Sequence, residues 1–380
     1  MDISLSNIQL DIAKEARRFL EKECSTDYVR DMYEDERGFT DEIWAKMIDM
    51  DWMRVRIPES YGGIGMDQMD LIMVLEEMGR AVLPGPFFST VLLAAEAIME
   101  AGNNLQKEYY LPKIARGEIR GTLALYEPDA GADLGYIQME AREDGDRFIL
   151  NGTKVSVLDA HVADILVCVA RTKQGNDLTQ GITLFLVERN AEGVSVSLLP
   201  TMDGTRKLCV ADFTEVQVSP EAILGEPHKG WKHLSRVLQR AQVGICAECV
   251  GGAQRAMEIA TEYAKIRVQF DQPIGAFQAI KHRCAQMYVE VESSRSILYW
   301  AAWAQDHGDP KEAAMASSAA KAYCSEAYTH VASAGIQILG GTGFAWENEM
   351  QLYLKRAKAN EQTLGDPIYH REQVITLLAD

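Results

Sequence analysis

The spacing of apolar residues changes twice along this chain, and these changes constrain the fold more than any other feature. From about residue 4 to 118 apolar residues recur every three or four positions, as in the run Leu71–Met78, which is the period of an amphipathic helix. Short β-prone runs replace this pattern between about 119 and 225, and long helical patterns return from about 230. The sequence therefore predicts an α+β protein with domains at 1–118, 119–226 and 227–380.

The middle stretch predicts a sheet without crossover helices. Its β-prone runs are separated by Gly, Asn and Asp and lie at 122–126, 148–150, 165–170, 182–187, 194–199 and 210–218. Because a parallel sheet needs long crossover connections, we expect an antiparallel sandwich or barrel. No G-x-G-x-x-G sequence stands between a strand and a helix, which argues against a Rossmann-type nicotinamide dehydrogenase.

The last third of the chain predicts a four-helix bundle. Its four long helical patterns lie at 231–263, 276–306, 310–339 and 350–363. The break at Gly308-Asp-Pro310 separates two of them, because proline cannot continue a preceding helix. Bundles of this kind commonly associate through exposed apolar faces, so we expect an oligomer.

Charge and cysteine usage exclude several classes of partner. The formal net charge of −18 and the pI near 4.9 argue against nucleic acid or an anionic membrane as the main partner. The odd number of scattered cysteines fits a reducing compartment. Cys246-Ala-Glu-Cys249 lacks a second pair and lies in a helical pattern, so we expect packing cysteines and no metal. No apolar run could cross a bilayer and no secretion signal stands at the amino terminus, so we expect a cytoplasmic protein.

Two segments carry residues suited to a dinucleotide diphosphate. The first is Arg267-Val-Gln-Phe-Asp-Gln-Pro-Ile-Gly-Ala-Phe-Gln278. Arg267 can form bidentate bonds to phosphate oxygens, Gln278 can donate an amide hydrogen, and Phe270 offers a flat apolar face to an adenine or flavin ring. The second is Gln337-Ile-Leu-Gly-Gly-Thr-Gly-Phe344, a glycine-rich turn whose backbone N–H groups could approach an anion closely.

In this order and spacing the two segments resemble the acyl-CoA dehydrogenase family, whose FAD lies between an R-x-x-F…Q segment of one subunit and a Q-x-x-G-G turn of its neighbour. The resemblance covers essentially the whole chain, including the segments 58–63, 127–133 and 151–154. It implies an acyl-CoA substrate, an electron-transferring flavoprotein as partner, and a homo- or hetero-tetramer that shares FAD between subunits. It places FAD against Arg267, Phe270, Gln278, Gln337, Gly340 and Gly341.

The resemblance also places the edge of the flavin against altered residues. Tyr126 stands where the family commonly has the threonine of T-E-P, so its hydroxyl is displaced by several ångströms. The family's W-I-T segment is Ser156-Val-Leu158 here, which leaves at most backbone contacts at Leu158. Ala132 replaces a serine of the A-G-S-D turn. The resemblance therefore implies a flavin that is less tightly tuned or more exposed than usual.

The resemblance places Leu364 and Ala241 at the two positions where the family carries its catalytic base. Neither side chain accepts a proton, so Glu248 and Asp366 become the candidate bases. Glu248 lies on a helical stripe of small or apolar residues, where a charge is costly unless it is paired or functional. It is therefore either a pocket base or a buried acid bonded to backbone or to a nearby arginine. Asp366 either serves as base or, with Pro367, caps a turn.

Three functions follow from these substitutions. The first is an FAD-dependent acyl-CoA dehydrogenase with a displaced base. Its substrate would be a bulky, branched or cyclic acid, because Pro84-Gly-Pro86 and the segment 365–371 resemble family branches that handle steroid side chains and alicyclic acids. The second is a binding subunit without a base in a heteromeric dehydrogenase. The third is an enzyme that cleaves a C–C or C–S bond of an acyl-CoA on the same scaffold. His370 is expected to be a structural donor, although a histidine can also act as a base.

Overall fold

The computed structural model describes residues 5–131, 133, 135–175 and 177–379. The α-helices in these residues are α1 (Asn7–Glu23), α2 (Thr26–Glu34), α3 (Asp41–Asp49), α4 (Gln68–Arg80), α5 (Glu96–Ala101), α6 (Asn104–Ala115), α7 (Trp231–Ile266), α8 (Gln278–His307), α9 (Pro310–Leu339), α10 (Met350–Gln362) and α11 (Pro367–Ala379). A π-helical segment, Ser89–Ala95, leads into α5. None of the helices in the described part of the chain combines the length and the apolar character that crossing a bilayer requires.

The strands are β1 (Gly121–Ala124), β2 (Glu140–Asp144), β3 (Arg147–Leu158), β4 (Ile165–Arg171), β5 (Ile182–Glu188), β6 (Val194–Leu199), β7 (Leu208–Val218), β8 (Ile223–Leu224), β9 (Val268–Gln269) and β10 (Gln272–Pro273). The first eight form one sheet, and β9 pairs with β10 in a separate hairpin.

The chain divides into two compact units, each made of separate stretches of sequence. The helical unit contains Met1–Asp31, Gln68–Leu83 and Gln242–Asp380, and the sheet unit contains Met32–Asp67 and Pro84–Ala241. The domain boundaries predicted near residues 118 and 226 stay predictions.

The sheet of the sheet unit runs in the order β6-β7-β3-β2-β4-β5-β8, with β1 beside β4. Most neighbours are antiparallel, as predicted, but β1 and β2 both pair with β4 in parallel. The rings of Phe148 on β3 and Phe185 on β5 lie 5.4 Å apart between centroids, although β2 and β4 stand between these strands in the sheet order. The sheet therefore curls around an apolar core.

The helical unit is organised around α9, which packs against α8, α10 and α11. The helix begins sharply because the Asp309 carboxylate accepts the N–H groups of Lys311 and Glu312, while Pro310 occupies its first turn. Small residues let its neighbours approach closely. A Cβ added to Gly252 on α7 would lie 2.4 Å from the Tyr328 hydroxyl of α9, so this position leaves no room for a side chain.

The predicted order of a helical amino-terminal part, a central sheet and a helical carboxy-terminal part is confirmed. The prediction of four carboxy-terminal helices missed α11. The pair Asp366-Pro367 indicates a turn in the sequence, but proline at the first helical position also starts a helix. In addition, Ile368, Ile375 and Leu378 are exposed, so α11 lacks the buried apolar stripe on which helix prediction depends.

Candidate functional site

The segment from Arg267 to Gln278 contains a strained hairpin. Phe270 and Asp271 connect β9 to β10, and both have positive φ angles, of 54° and 61°. Two-residue hairpins need such angles, but asparagine or glycine normally supplies them. Phe270 is also 85% exposed, and its ring meets Phe277 edge to face at 6.2 Å. A bulky residue that is both strained and exposed marks a candidate binding position.

The polar groups beside this hairpin are accessible. Arg267 is exposed, and no side chain in the described residues forms an ion pair or hydrogen bond with its guanidinium. Its carbonyl accepts the N–H of Ile274 at 2.8 Å, which closes the hairpin. Gln278 is exposed at the first position of α8. A cation, an amide and a flat ring are thus available to a ligand along one short segment.

The glycine-rich turn follows α9. Gly340 has φ 65° and ψ −142°, a combination that is strongly unfavourable for every residue except glycine. A Cβ added to Gly340 or Gly341 would meet no atom within 4 Å, and both residues are exposed, so the backbone here borders open space. Gln337 is exposed on the last turn of α9. The turn therefore offers peptide groups and an amide to a ligand or to another protein chain.

The two segments rest on different helices. The hairpin leads into a short turn, Ile274–Ala276, that packs on α8, whereas the Gly340–Phe344 turn packs on α9 and α10. The exposed donor set fits a diphosphate, because guanidinium and amide groups recognise phosphate oxygens and Phe270 can stack on a flat ring. These residues are therefore compatible with FAD, whose binding here stays a prediction.

Tyr126 and Leu158 belong to the sheet unit. Tyr126 is half-buried after β1, and its carbonyl accepts the N–H of Val155 at 2.9 Å. Leu158 is buried at the end of β3, where it pairs with Leu208 of β7. Ala132 lies outside the described residues.

A β-bulge precedes Leu158. The register of β3 on β7 shifts between Lys154 and Val157, and Ser156 within this shift has φ 52°. Asp159, which follows Leu158, also has φ 52°. Bulges and left-handed residues are enriched beside functional sites, because they redirect the chain at some cost in free energy. The altered W-I-T segment therefore has the local conformation expected near a site, without the indole and hydroxyl groups.

A buried ion pair fixes the strand next to Tyr126. The Lys154 ammonium donates to the Glu127 carboxylate at 2.6 Å and to the Leu125 carbonyl at 3.0 Å. Glu127 also accepts the N–H of Met139 at 3.0 Å. Burial lowers the pKa of Lys154, and the opposing carboxylate resists this change. This pair ties the Glu127 segment to β3.

Glu248 lies inside the helical unit and is engaged by α10. Its carboxylate is 3.6 Å from the Arg356 guanidinium, and Asn360 donates its side-chain amide to it at 3.4 Å. Glu248 is 5% exposed and Arg356 is 1% exposed. Of the two alternatives for Glu248, this geometry matches a buried acid bonded to a nearby arginine.

Asp366 begins α11. Its carboxylate accepts the N–H of Tyr369 at 2.7 Å, and its carbonyl accepts the N–H of His370 at 3.1 Å. These are the bonds of a helix amino-terminal cap. Of the two alternatives for Asp366, the geometry matches the capping one, and its role as base stays a prediction.

The loop that carries Leu364 is held by the side chains of His370, Gln242 and Lys321, of which the sequence indicated only His370. Leu364 and Gly365 have φ angles of 60° and 97°. The Leu364 carbonyl accepts a hydrogen bond from His370 Nε2 at 2.8 Å, and Gln242 donates to it at 3.4 Å. Lys321, which is fully buried on α9, donates to the Gly365 carbonyl at 2.7 Å. Apart from His370, which was expected to be a structural donor, the one sequence signal for this set is a lysine within an alanine- and serine-rich helix.

Burial controls the charge of His370. Its pKa is lowered to about 3, chiefly by burial and then by the nearby Lys321 ammonium. The imidazole is therefore neutral near neutral pH. Because Nε2 faces a carbonyl oxygen, it carries the proton and acts as the donor. This arrangement agrees with the structural role expected for His370.

The comparisons with known proteins extend over the whole chain. Profiles of the acyl-CoA dehydrogenase N-terminal, middle and C-terminal domains match residues 6–118, 122–218 and 228–377. The 3-(aryl)acrylate reductase of Clostridium sporogenes is 34% identical over 339 residues, which is 88% of each chain. The caffeyl-CoA reductase-Etf complex subunit CarC of Acetobacterium woodii is 34% identical over 344 residues, which is 90% of each chain.

Among solved structures, butyryl-CoA dehydrogenase from Megasphaera elsdenii superposes with a TM-score of 0.92 at 29% identity, over 100% of both chains. The three matched domains, the relatives and this fold agree with one another. The chain therefore belongs to the acyl-CoA dehydrogenase family, whose members are flavoprotein oxidoreductases that act on the CH–CH bond of acyl-CoA thioesters.

Proposed function

We propose that this chain is a flavin-binding dehydrogenase subunit without a base of its own, which works in a hetero-oligomer beside a second chain that carries the catalytic carboxylate. One observation carries the proposal: both candidate acids are occupied by structural contacts. Glu248 is paired with Arg356, and Asp366 caps α11. The resemblance to the family places Leu364 and Ala241 where the family has its bases, and both are buried apolar side chains.

The exposed segments of the helical unit support the flavin-binding part of the proposal. Bound FAD would supply the acceptor for a hydride from the β carbon of the thioester. Arg267 and Gln278 bind phosphate oxygens, and Phe270 covers a ring face. A second segment supplies the amide and backbone donors of Gln337, Gly340 and Gly341. This segment rests on α9 and α10, whereas the Arg267 segment rests on α8, so either segment can contact the FAD of an adjoining subunit.

The relatives support a ring-bearing substrate. Two relatives that are 34% identical to the chain are named for aryl-substituted acrylates and for caffeyl-CoA, and one of them is a subunit of a reductase-Etf complex. We accordingly propose a thioester of an aromatic or alicyclic acid as substrate, and an electron-transferring flavoprotein as the redox partner. Reduction of the unsaturated thioester and oxidation of the saturated one use the same site, since both directions pass through one transition state.

The displaced-base dehydrogenase is the second candidate. This candidate is favoured because the chain retains all the exposed residues proposed to bind FAD around Arg267 and Gly340. A homo-oligomer would also need these residues. In that case Glu248 or Asp366 must leave its partner and accept the α proton. The C–C or C–S cleaving enzyme is the third candidate, because such a reaction can dispense with an α-proton base.

A substitution at position 364 separates these candidates. The purified chain, supplied with excess FAD, is mixed anaerobically with butyryl-CoA or 3-phenylpropionyl-CoA while the visible absorbance of the flavin is followed. We expect bleaching of Leu364→Glu to be at least about 100-fold faster than any bleaching of the unsubstituted chain, because a positioned general base contributes about 10²–10⁴-fold. Leu364→Gln is the matched control, since it has a similar shape and cannot accept the proton.

Each other outcome selects a different candidate. Bleaching of the unsubstituted chain that is lost in Glu248→Gln or Asp366→Asn would establish a displaced base. Absence of bleaching in Leu364→Glu, with FAD bound, would show that a missing base is not what limits the chain. The hetero-oligomer is checked by native mass spectrometry of the tagged chain isolated from the organism that encodes it. We expect a second family member with glutamate at the position of Leu364.

Replacing Arg267 with alanine is expected to weaken FAD binding about 10- to 100-fold, because a charge-assisted hydrogen bond contributes about 1.5–3 kcal/mol. Arg267→Lys should recover only part of this loss, since lysine keeps the charge but not the bidentate geometry. Arg18→Ala, at a side chain that is 82% exposed on α1, is the control. The affinity is measured by fluorescence titration of the flavin-free protein. Equal affinities for all variants would remove Arg267 from the cofactor site.

A further inference from the structure

We propose that Lys321 and His370 are positioning residues that hold position 364 in a preset left-handed conformation, so that the loop keeps the form of a base-carrying loop although leucine now occupies it. The inference rests on the proposed function, because it concerns the position at which that function lacks a carboxylate. It gives Lys321 and His370 a role that follows neither from the resemblance nor from the chemistry of the cofactor.

Lys321 is an unusual residue to bury. It lies in the middle of α9 with no exposed surface, and its ammonium donates to the carbonyls of Gly365 at 2.7 Å and Glu361 at 3.2 Å. Among the described residues no carboxylate oxygen lies within ion-pair distance of it. Burial of an ammonium is costly, and burial lowers the pKa of Lys321, although nearby groups that include the Glu361 and Asp366 carboxylates oppose this change. Lys321 thus binds one carbonyl in the last turn of α10 and one in the loop that follows it.

His370 contacts the same loop from the opposite end. Its Nε2 donates to the Leu364 carbonyl at 2.8 Å, while its buried Nδ1 has no hydrogen-bond partner in the described part of the chain. The ring also packs on the backbone itself, because a Cβ added to Gly365 would lie 2.7 Å from Nε2. Gly365 therefore has two reasons to be glycine, its φ of 97° and the adjacent imidazole.

The loop conformation is strained and needs these donors. A leucine at φ 60° is in a conformation that side chains disfavour, and such residues persist where surrounding contacts determine them. Here Lys321, His370 and Gln242 donate to the carbonyls of three residues within five positions, Glu361, Leu364 and Gly365. All these bonds are made to main-chain oxygens, and none involves the side chain at position 364.

It follows that the residue at position 364 can change without moving the loop. If a residue with a carboxylate replaced Leu364, the same backbone hydrogen bonds would fix its Cα position and the direction of its Cα–Cβ bond. Lys321 and His370 act on it only through the backbone, and they take no proton from the substrate. They are therefore positioning residues, and loss of either should loosen the loop before it alters the fold.

The first test measures the loop directly and needs no catalysis. Hydrogen exchange of the backbone amides of residues 363–369 is compared in the FAD-supplied wild-type chain, Lys321→Met and His370→Phe. We expect at least about tenfold faster exchange in both variants, because each loses a hydrogen bond that stabilises the observed conformation of the loop. Lys311→Met, at an exposed position on the same helix, is the control and should exchange like wild type. Unchanged exchange in both Lys321→Met and His370→Phe would overturn the inference.

The second test asks whether positioning matters for chemistry. In a Leu364→Glu background, with an artificial electron acceptor that reoxidises the flavin, Lys321→Met is expected to lower kcat for oxidation of 3-phenylpropionyl-CoA at least about tenfold with a smaller change in KM, since displacement of a base by about 1 Å can cost about 10²-fold. Lys311→Met in that background should keep both constants. Equal kcat values with and without Lys321→Met would contradict the inference. If Leu364→Glu itself is inactive, the proposed function fails, while the exchange measurement still decides the role of Lys321.

Discussion

Replacing Glu248 with alanine is expected to lower the free energy of unfolding of the helical unit by about 3–5 kcal/mol, because the substitution leaves a buried guanidinium without its carboxylate. Arg356 is 1% exposed and 3.6 Å from Glu248, so water cannot readily replace the lost anion. Asn360 also loses an acceptor. Urea denaturation, followed by circular dichroism of the helices, measures the change.

Two further variants separate a lost ion pair from a lost side chain. Glu248→Ala combined with Arg356→Met should recover much of the stability, since a buried pair can often be replaced by apolar residues at little cost. Glu326→Ala removes a surface ion pair with Arg371, for which we expect a change of less than about 1 kcal/mol. A loss below about 1 kcal/mol for Glu248→Ala would show that Glu248 and Arg356 are not coupled, and would return Glu248 to the list of candidate bases.

The period of the apolar pattern was sufficient to predict the order of the helical, sheet and helical parts, but it missed the strands β2 and β8 and the hairpin of β9 and β10. Alternation and helical spacing report which face of an element is buried, and both the central sheet and α9 have such faces. The same signal could not reveal α11, whose large apolar residues are exposed, nor the parallel pairing of β1 with β4. Strand pairing is decided by contacts between distant segments, which a local pattern does not contain.

The candidate site divides in a similar way. The exposed polar groups around Arg267 and the open backbone at Gly340 could be predicted, because glycines and a cation beside an aromatic ring form local patterns. The partners of Glu248 and of the Leu364 carbonyl could not, since Arg356 and His370 become neighbours only through packing of α10 and α11 in the helical unit. The sequence could state two alternatives for Glu248 and two for Asp366. Only the fold supplied the contacts that favour a buried ion pair for Glu248 and a helix cap for Asp366.

Lowering the pH from about 6.5 to about 3 is expected to destabilise the protein through His370 by about 3–5 kcal/mol, in addition to the contribution of its carboxylates. Burial and the Lys321 ammonium lower the pKa of His370 from 6.5 to about 3 in the folded state. Above about pH 6.5 the imidazole is neutral in both states, so its full contribution is present. Below that pH His370 binds a proton in the unfolded chain but not in the folded chain. The free energy of unfolding therefore falls until the pH reaches the pKa of His370 in the folded state. His370→Asn, which keeps an amide donor but does not titrate, should remove this part of the slope, as measured by urea denaturation at a series of pH values. Parallel stability curves for the two proteins would show that His370 is protonated equally in both states.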